Sequence, residues 1–358
     1  RMTIRTSMSV LCSGWPSPYH GSKAKMRSIQ HDRALAALQG LALGDALGMP
    51  TQSMSPQDIE HHYGTIDGLR DAVPAQQIAP SMPAGSITDD TEQALLLAHL
   101  LIDGGGHIEA MALATALLDW ERDMIARGSH DLLGPSTKAA LEKVRAGADP
   151  TTTGRFGTTN GASMRVAPIG IAFGLDDPAG FARAVHESCM VTHDTHQGWH
   201  AAALVAAAVS AGVSGEGTAG AIGRAVDVVA GLPVRGYWSA KASVLQRTRH
   251  ELVQTAHLHG QDLLRYLREV VGTSVDSTES VPAAFIIARE FAERPMEGLC
   301  AAANLGGDTD TIGAMAGAVL GATKGTRGLP EDDVRTVCRV SHLDLETTAE
   351  SLLDLRKQ

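Results

Sequence analysis

The sequence predicts an all-α protein, a compact bundle of helices, and three observations carry that expectation. From His31 onward apolar residues recur at intervals of three and four instead of alternating, the period of a helix with one buried stripe. Alanine, the strongest helix former, far outnumbers runs of Val, Ile and Thr, so strand candidates are almost absent. Glycine and proline clusters such as Gly104-Gly105-Gly106 and Gly306-Gly307 interrupt the periodic stretches, as short connections between packed helices do. In chain order the periodic runs place helices at residues 32–47, 91–102, 108–126, 136–145, 179–190, 196–211, 219–229, 240–257, 261–270, 282–291, 296–304, 311–322 and 346–355.

Residues 1–29 mix Ser, Pro, Gly and basic residues without a sustained apolar pattern and read as a flexible leader, with Met26 a candidate start. The apolar segment at residues 8–12 is too short for a signal peptide. No composition break or proline-rich linker divides the remainder, so one domain is expected over residues 30–358. No apolar run reaches the roughly 18 residues that would span a bilayer, and no membrane partner is expected. The formal net charge of −10 argues against a nucleic-acid partner, whose phosphates call for clustered Lys and Arg. Four scattered cysteines, Cys12, Cys189, Cys300 and Cys338, lack metal or redox spacing, and a reducing, cytoplasmic setting fits them.

Chemistry concentrates in two distant clusters, Thr88-Asp89-Asp90-Thr91 and Asp308-Thr309-Asp310-Thr311, each where a glycine-containing loop gives way to a helical pattern. Either alone reads equally as acids at a helix N-terminus, favoured by capping and by the helix dipole. Together, four carboxylates with adjacent threonine hydroxyls suit a hard divalent cation. After the second cluster, Gly313, Gly317 and Gly321 form a stripe without side chains. Each glycine costs about 1 kcal/mol of helix propensity relative to alanine, a loss that close approach of another helix offsets. A membrane dimerisation stripe is the alternative, and the apolar run is too short for it. His193, His196 and His200, spaced three and four apart, would share one helical face and superficially suggest a zinc cluster. The oxygen-rich clusters fit a metal better.

Five ordered blocks carry a resemblance: GLALGDALGMP at 40–50, GSITDDTEQALLLA at 85–98, NGASMRVAPIG at 160–170, VTH at 191–193 and NLGGDTDTIGAMAGA at 304–318. The chain resembles the ADP-ribosylglycohydrolase family, which includes dinitrogen reductase-activating glycohydrolase and the ADP-ribosylhydrolases. That resemblance implies an orthogonal all-α bundle and a binuclear site for two Mg²⁺ or Mn²⁺ ions, with Thr88, Asp89, Asp90, Asp308, Asp310 and Thr311 as ligands. It implies a metal-dependent hydrolase that cleaves the glycosidic bond between an ADP-ribosyl group and an acceptor, on a protein side chain or a small molecule. In such a reaction adjacent ribose hydroxyls replace metal-bound waters, and a carboxylate stabilises the oxocarbenium-like carbon and takes a proton from the attacking water. Asp89 or Asp90 is expected in that role, then Asp308.

The loop 157–165 resembles the family's substrate loop, with Asn160, Gly161, Ser163 and Met164 as binding residues and backbone amides as a cradle for pyrophosphate or the distal ribose; a plain capped turn is the bland reading. His193 resembles the histidine that lines the substrate cleft. One position departs from the family: many relatives carry a glutamate after the GDALG block, where this chain has Gln52. An amide can orient a hydroxyl or a water but cannot take its proton. Asp45 is expected to support the metal site from behind or to cap a helix. Two alternatives remain, an N-riboside or nucleoside-type glycohydrolase of the same fold and a noncatalytic ADP-ribose-binding protein.

Overall fold

The computed structural model describes residues 18–129 and 133–356, with side chains from residue 26 onward. Eighteen α-helices follow one another among them. The first eight are α1 (Pro18–Gly48), α2 (Pro56–Tyr63), α3 (Asp89–Asp103), α4 (Ala110–Ala126), α5 (Pro135–Arg145), α6 (Pro150–Thr153), α7 (Gly161–Met164) and α8 (Ala167–Ala172). Then come α9 (Pro178–His193), α10 (His196–Val213), α11 (Thr218–Gly231), α12 (Val244–Gln254) and α13 (Gly260–Tyr266). The chain closes with α14 (Ser277–Glu290), α15 (Pro295–Ala303), α16 (Thr309–Lys324), α17 (Glu331–Val340) and α18 (Leu345–Leu355). Pairing of extended backbone is confined, among the described residues, to two isolated bridges, Thr159 with Asp276 and Thr195 with Tyr237. The fold is all-α, as expected.

Three helices make the centre. Every residue of α10 from Gln197 to Val213 is buried, so this alanine-rich helix is covered on all sides, as a helix apolar around its whole circumference must be. In α16 residues 309–323 are all buried, and α1 is the element it packs against most extensively. Cβ atoms placed on Gly40, Gly44 and Gly48 would lie 2.1 Å from the Gly317 carbonyl oxygen, 2.0 Å from the Gly313 carbonyl oxygen and 2.4 Å from the Asp310 Cα. The reversed order of those partners makes the pair antiparallel. The glycine stripe thus meets a second one on α1, and the two backbones touch. No helix among the described residues is long and apolar enough to cross a membrane.

Several boundaries differ from the sequence reading. The predicted leader overlaps α1, which starts at Pro18, so the expected break at residue 30 falls inside a helix; residues 1–17 lie outside the described residues. α2, α6, α7, α8 and α17 were not expected. α2 carries a capping box between Ser55 and Asp58, while α6 and α7 are only four residues long and too short to show a period. α14 begins five residues before Pro282, capped by Asp276, and holds Pro282 within its length. The 261–270 stretch divides into α13 and a π-helical turn, Leu267–Val271. α12 starts at Val244, not at 240, because the Lys241 and Ala242 carbonyls instead accept from Gln197 Nε2 at 3.1 and 3.2 Å.

Candidate active site

The site is built where α3 and α16 begin. Asp45, fully buried on α1, accepts from the Thr88 amide at 3.0 Å, Thr88 Oγ1 at 2.8 Å, the Thr91 amide at 3.1 Å and Thr91 Oγ1 at 2.5 Å. One carboxylate therefore satisfies donors that the first turn of α3 leaves open. Burial pushes the Asp45 carboxyl up to about 6, and the bonds from Thr91 and Thr88 pull against it. Of the two roles expected of Asp45, this is the helix cap.

α16 is placed by its two-glycine approach. Gly306 and Gly307 both have φ near +80°, a conformation that glycine alone adopts without strain. A Cβ on Gly307 would stand 2.4 Å from the Thr273 carbonyl oxygen. The Gly307 amide donates to the Met54 carbonyl at 2.9 Å and the Asp308 amide to the Thr273 carbonyl at 2.8 Å. Thr309 turns away from the acids, and its Oγ1 donates to the Gly48 carbonyl at 3.0 Å, tying α16 to the end of α1.

With both helix starts so held, the two clusters meet. Asp90 Oδ2 lies 3.3 Å from Thr311 Oγ1 and 3.2 Å from Thr88 Oγ1. Asp308 is bonded to the side chains of Thr311 and Asp310, and Asn160 Nδ2 donates to it at 2.5 Å. Burial raises the Asp308 carboxyl, and these bonds oppose the rise. Two neighbouring carboxylates in a buried place repel each other unless a proton or a cation lies between them. Among the described residues no three His, Cys, Asp or Glu side chains already converge as ligands do. Of the six predicted ligands, Asp89, Asp308, Asp310 and Thr311 instead form a rim, with Thr88 and Asp90 beneath it. An all-oxygen set with paired acids fits a hard cation, whose shell waters and small side-chain rotations would complete.

A cleft of about 270 Å³ opens over this rim. Gln52, Asp89, Asn160, Gly161, Met164, Asp308, Asp310 and Thr311 line it, with Leu133, Pro135 and Val275 as apolar wall. Thr88 and Asp90 lie beneath, buried. Gln52 is buried, lines the cleft, and its Nε2 has no hydrogen-bond partner among the described residues.

Two expected binding residues stand elsewhere. Ser163 is fully buried and its hydroxyl donates to the Asn160 carbonyl at 2.8 Å, so one turn after Asn160 it bonds back onto the backbone of its own loop. His193 is also fully buried, one layer behind the loop, with Nε2 2.9 Å from Thr159 Oγ1. The expected amide cradle is largely spent inside the protein, since the Asn160, Ser163 and Met164 amides donate to the Val275, Asn160 and Asn160 carbonyls. His193 and His196 fall on different helices, so the three histidines do not share a face.

Residues the sequence reading passed over complete the site. Gln93 Nε2 donates to Asp89 Oδ2 at 3.1 Å, and its Oε1 accepts from Arg165 Nη1 at 3.0 Å. Arg165 is fully buried, and burial lowers its guanidinium to about 10. Its signal lay in the quoted NGASMR block, a charge followed directly by Val166-Ala167-Pro168-Ile169.

The model of the family described as ADP-ribosylglycohydrolase matches residues 26–358. The chain belongs to the ADP-ribosylglycohydrolase family. Among relatives, the Escherichia coli K12 protein YegU is 31% identical over 328 residues, 91% of this chain and 98% of its own. ADP-ribosylarginine hydrolase Tri1 of Pseudomonas putida is 28% identical over 337 residues, 91% of this chain and 79% of its own. A solved structure titled "ADP-ribosylglycohydrolase-related protein complex" superposes with a TM-score of 0.64 at 25% identity, covering 92% of this chain and 99% of that one. The ADP-ribosylglycohydrolase fold accounts for nearly the whole chain, and the resemblance read from the five blocks holds.

Proposed function

We propose that the protein is a hydrolase that cleaves the glycosidic bond joining an ADP-ribosyl group to an acceptor, on an ADP-ribosylated protein or a small ADP-ribosyl molecule. The observation that carries this reading is the meeting of two acid-and-threonine helix starts on the floor of one cleft, in a chain of this family. Thr88, Asp89, Asp90, Asp308, Asp310 and Thr311 are the residues that would hold two Mg²⁺ or Mn²⁺ ions. When bound, such ions orient ribose hydroxyls and make a water acidic enough to attack at neutral pH.

The chain's own residues do the rest. Asp45 fixes the first turn of α3, and the glycine pair fixes Asp308, so the donor set is positioned before a ligand arrives. Asp89, in the cleft wall with one oxygen held by Gln93, is placed to accept a proton from water and to stabilise positive charge at the anomeric carbon. Asp90 and Asp308 are the other carboxylates available for that work. Gln52 presents an amide that orients a hydroxyl or water without deprotonating it. Leu133, Pro135 and Val275 shed water from the rim. Free Cys189, Cys300 and Cys338 support a reducing, cytoplasmic setting.

The Gln52 amide also favours a second reading, a family member that binds ADP-ribose, or hydrolyses only simple N-ribosides, without turning over ADP-ribosyl conjugates. Mass-spectrometric detection of released product decides between them, using ADP-ribosyl-arginine, ADP-ribosyl-serine and simple N-ribosides, with Mg²⁺ or Mn²⁺ and with chelator. Metal-dependent release from an ADP-ribosyl substrate is expected. Release confined to simple ribosides, or silence with ADP-ribose still bound, would replace the first reading with the second.

A further inference from the structure

Behind the cleft a single buried cation organises a line of hydrogen bonds whose directions can be worked out. Arg165 Nη2 donates to Thr192 Oγ1 at 2.7 Å, because a guanidinium has only donors. Thr192 is fully buried, so its own proton must go to a protein acceptor, and its remaining partner is His193 Nδ1 at 2.7 Å. A neutral imidazole that accepts at Nδ1 carries its proton on Nε2. Burial first, and the Arg165 charge second, hold the His193 ring well below its ordinary pKa and therefore neutral. Its Nε2–H then donates to Thr159 Oγ1 at 2.9 Å.

Thr159 is the point where this line reaches solvent. It is half-buried and lines the cleft beside Asn160 and Gly161. With its oxygen accepting from His193, its hydroxyl proton is left to point into the cleft. The ring itself is screened by the loop: a Cβ on Gly161 would lie 3.0 Å from His193 Cε1. A bound molecule thus meets Thr159 where it would otherwise meet the histidine.

We propose that Thr159 is a substrate-binding hydroxyl whose proton is aimed into the cleft by the relay Arg165, Thr192, His193, and that it donates to an acceptor oxygen of the ADP-ribosyl group. This rests on the ADP-ribosyl reading given above. The acceptor is a pyrophosphate oxygen or a distal ribose oxygen, and the test separates the two. Thr192 and His193 act through Thr159 and are positioning residues.

Calorimetric titration of the Mg²⁺-loaded protein with ADP-ribose and with ADP tests the contact. Thr159→Val keeps the shape and removes the hydroxyl, and it is expected to bind about fivefold to tenfold more weakly, the effect of one lost hydrogen bond. Thr159→Ser should restore affinity to within about twofold of the parent. Loss for both ligands places the acceptor on the pyrophosphate; loss for ADP-ribose alone places it on the distal ribose. Unchanged affinity in Thr159→Val overturns the inference and leaves the ADP-ribosyl reading standing. A parent protein that binds neither ligand overturns that reading and this one with it. The relay has its own readout in the parent protein without ligand, the ¹⁵N spectrum of the histidine rings, with His193 assigned by its loss in His193→Asn. A neutral Nε2–H tautomer at pH 7, turning to a mixture in Thr192→Val, is expected. An Nδ1–H tautomer or an imidazolium in the parent overturns the relay.

Discussion

Asp90 reaches from the start of α3 to Thr311 on α16, and Asp310 sits in the first turn of α16 bonded to Asp308, so both belong to the ground where the two clusters meet. Asp90→Asn and Asp310→Asn are expected to lower metal-dependent release of ADP-ribosyl product by more than about 100-fold, with the helical circular dichroism unchanged; full activity in both would remove the metal-centred reading. Cys300 offers the opposite case. It is nearly buried on α15, burial first raises its thiol to about 11, and it borders a groove with Met296 and Asn304 away from the cleft. Cys300→Ser should hold turnover within about twofold, as substitutions away from a site do, and a larger loss would bring a thiol mechanism back. At this scale the meeting of the two acid-and-threonine clusters was legible, because carboxylates and hydroxyls beside glycine turns carry their chemistry in their identity. Ser163 and His193 were misplaced and Arg165 was missed for one reason. Whether a polar side chain faces a cleft or the interior depends on which neighbour takes its hydrogen bond: for Ser163 the Asn160 carbonyl one turn back, for His193 Thr159, 34 residues away, and for Arg165 Gln93 and Thr192, 72 and 27 residues away.

At the scale of elements, the contact between α1 and α16 decides where the site lies, since it fixes both the Asp45 shelf and the DTDT turn. A Cβ on Gly317 would come within 1.9 Å of the Gly40 carbonyl oxygen, and backbone cannot yield as a side-chain tip can. Gly317→Ala is expected to destabilise the fold by about 3 kcal/mol or more. Gly223→Ala on α11, where a Cβ meets nothing within 4 Å, should be neutral or gain up to about 1 kcal/mol from helix propensity. Urea denaturation of the two variants checks both signs. The stripe was readable at residues 313, 317 and 321, but its partner was not identified, because glycines 40, 44 and 48 were read as part of a motif. Long periodic helices were legible for the same reason that α6 and α7 were not: two turns or more are needed before a stripe can repeat.

For the whole molecule, the proposed cation site would join segments more than 200 residues apart in the chain, so ion binding should be felt as stability. Asp45 ionises in the fold near about 6, above the ordinary ~3.9 of an aspartate. Its contribution is therefore fully present below about pH 4 and is lost as the pH rises through about 6. Asp308 is raised in the same direction. His193, held neutral, contributes stability that is present above the ordinary imidazole value of about 6.5 and is lost as the pH falls. Comparing metal-loaded with chelated protein at each pH cancels the histidine, leaving ionised carboxylates to be matched by the cation. The rise in melting temperature on saturating Mg²⁺ should be larger at pH 7.5 than at pH 5.5; an equal or smaller rise at pH 7.5 would contradict this account.

Sequence alone determined the helical class, the family and the acid-and-threonine chemistry, since period, block order and residue type are properties of the chain read locally. Tertiary structure alone decided that α1 and α16 touch backbone to backbone, that Asp45 caps a helix from across the core, and that His193 lies buried behind Thr159. Those are facts about which distant groups share a buried volume, and burial is settled by packing, not by spacing along the chain.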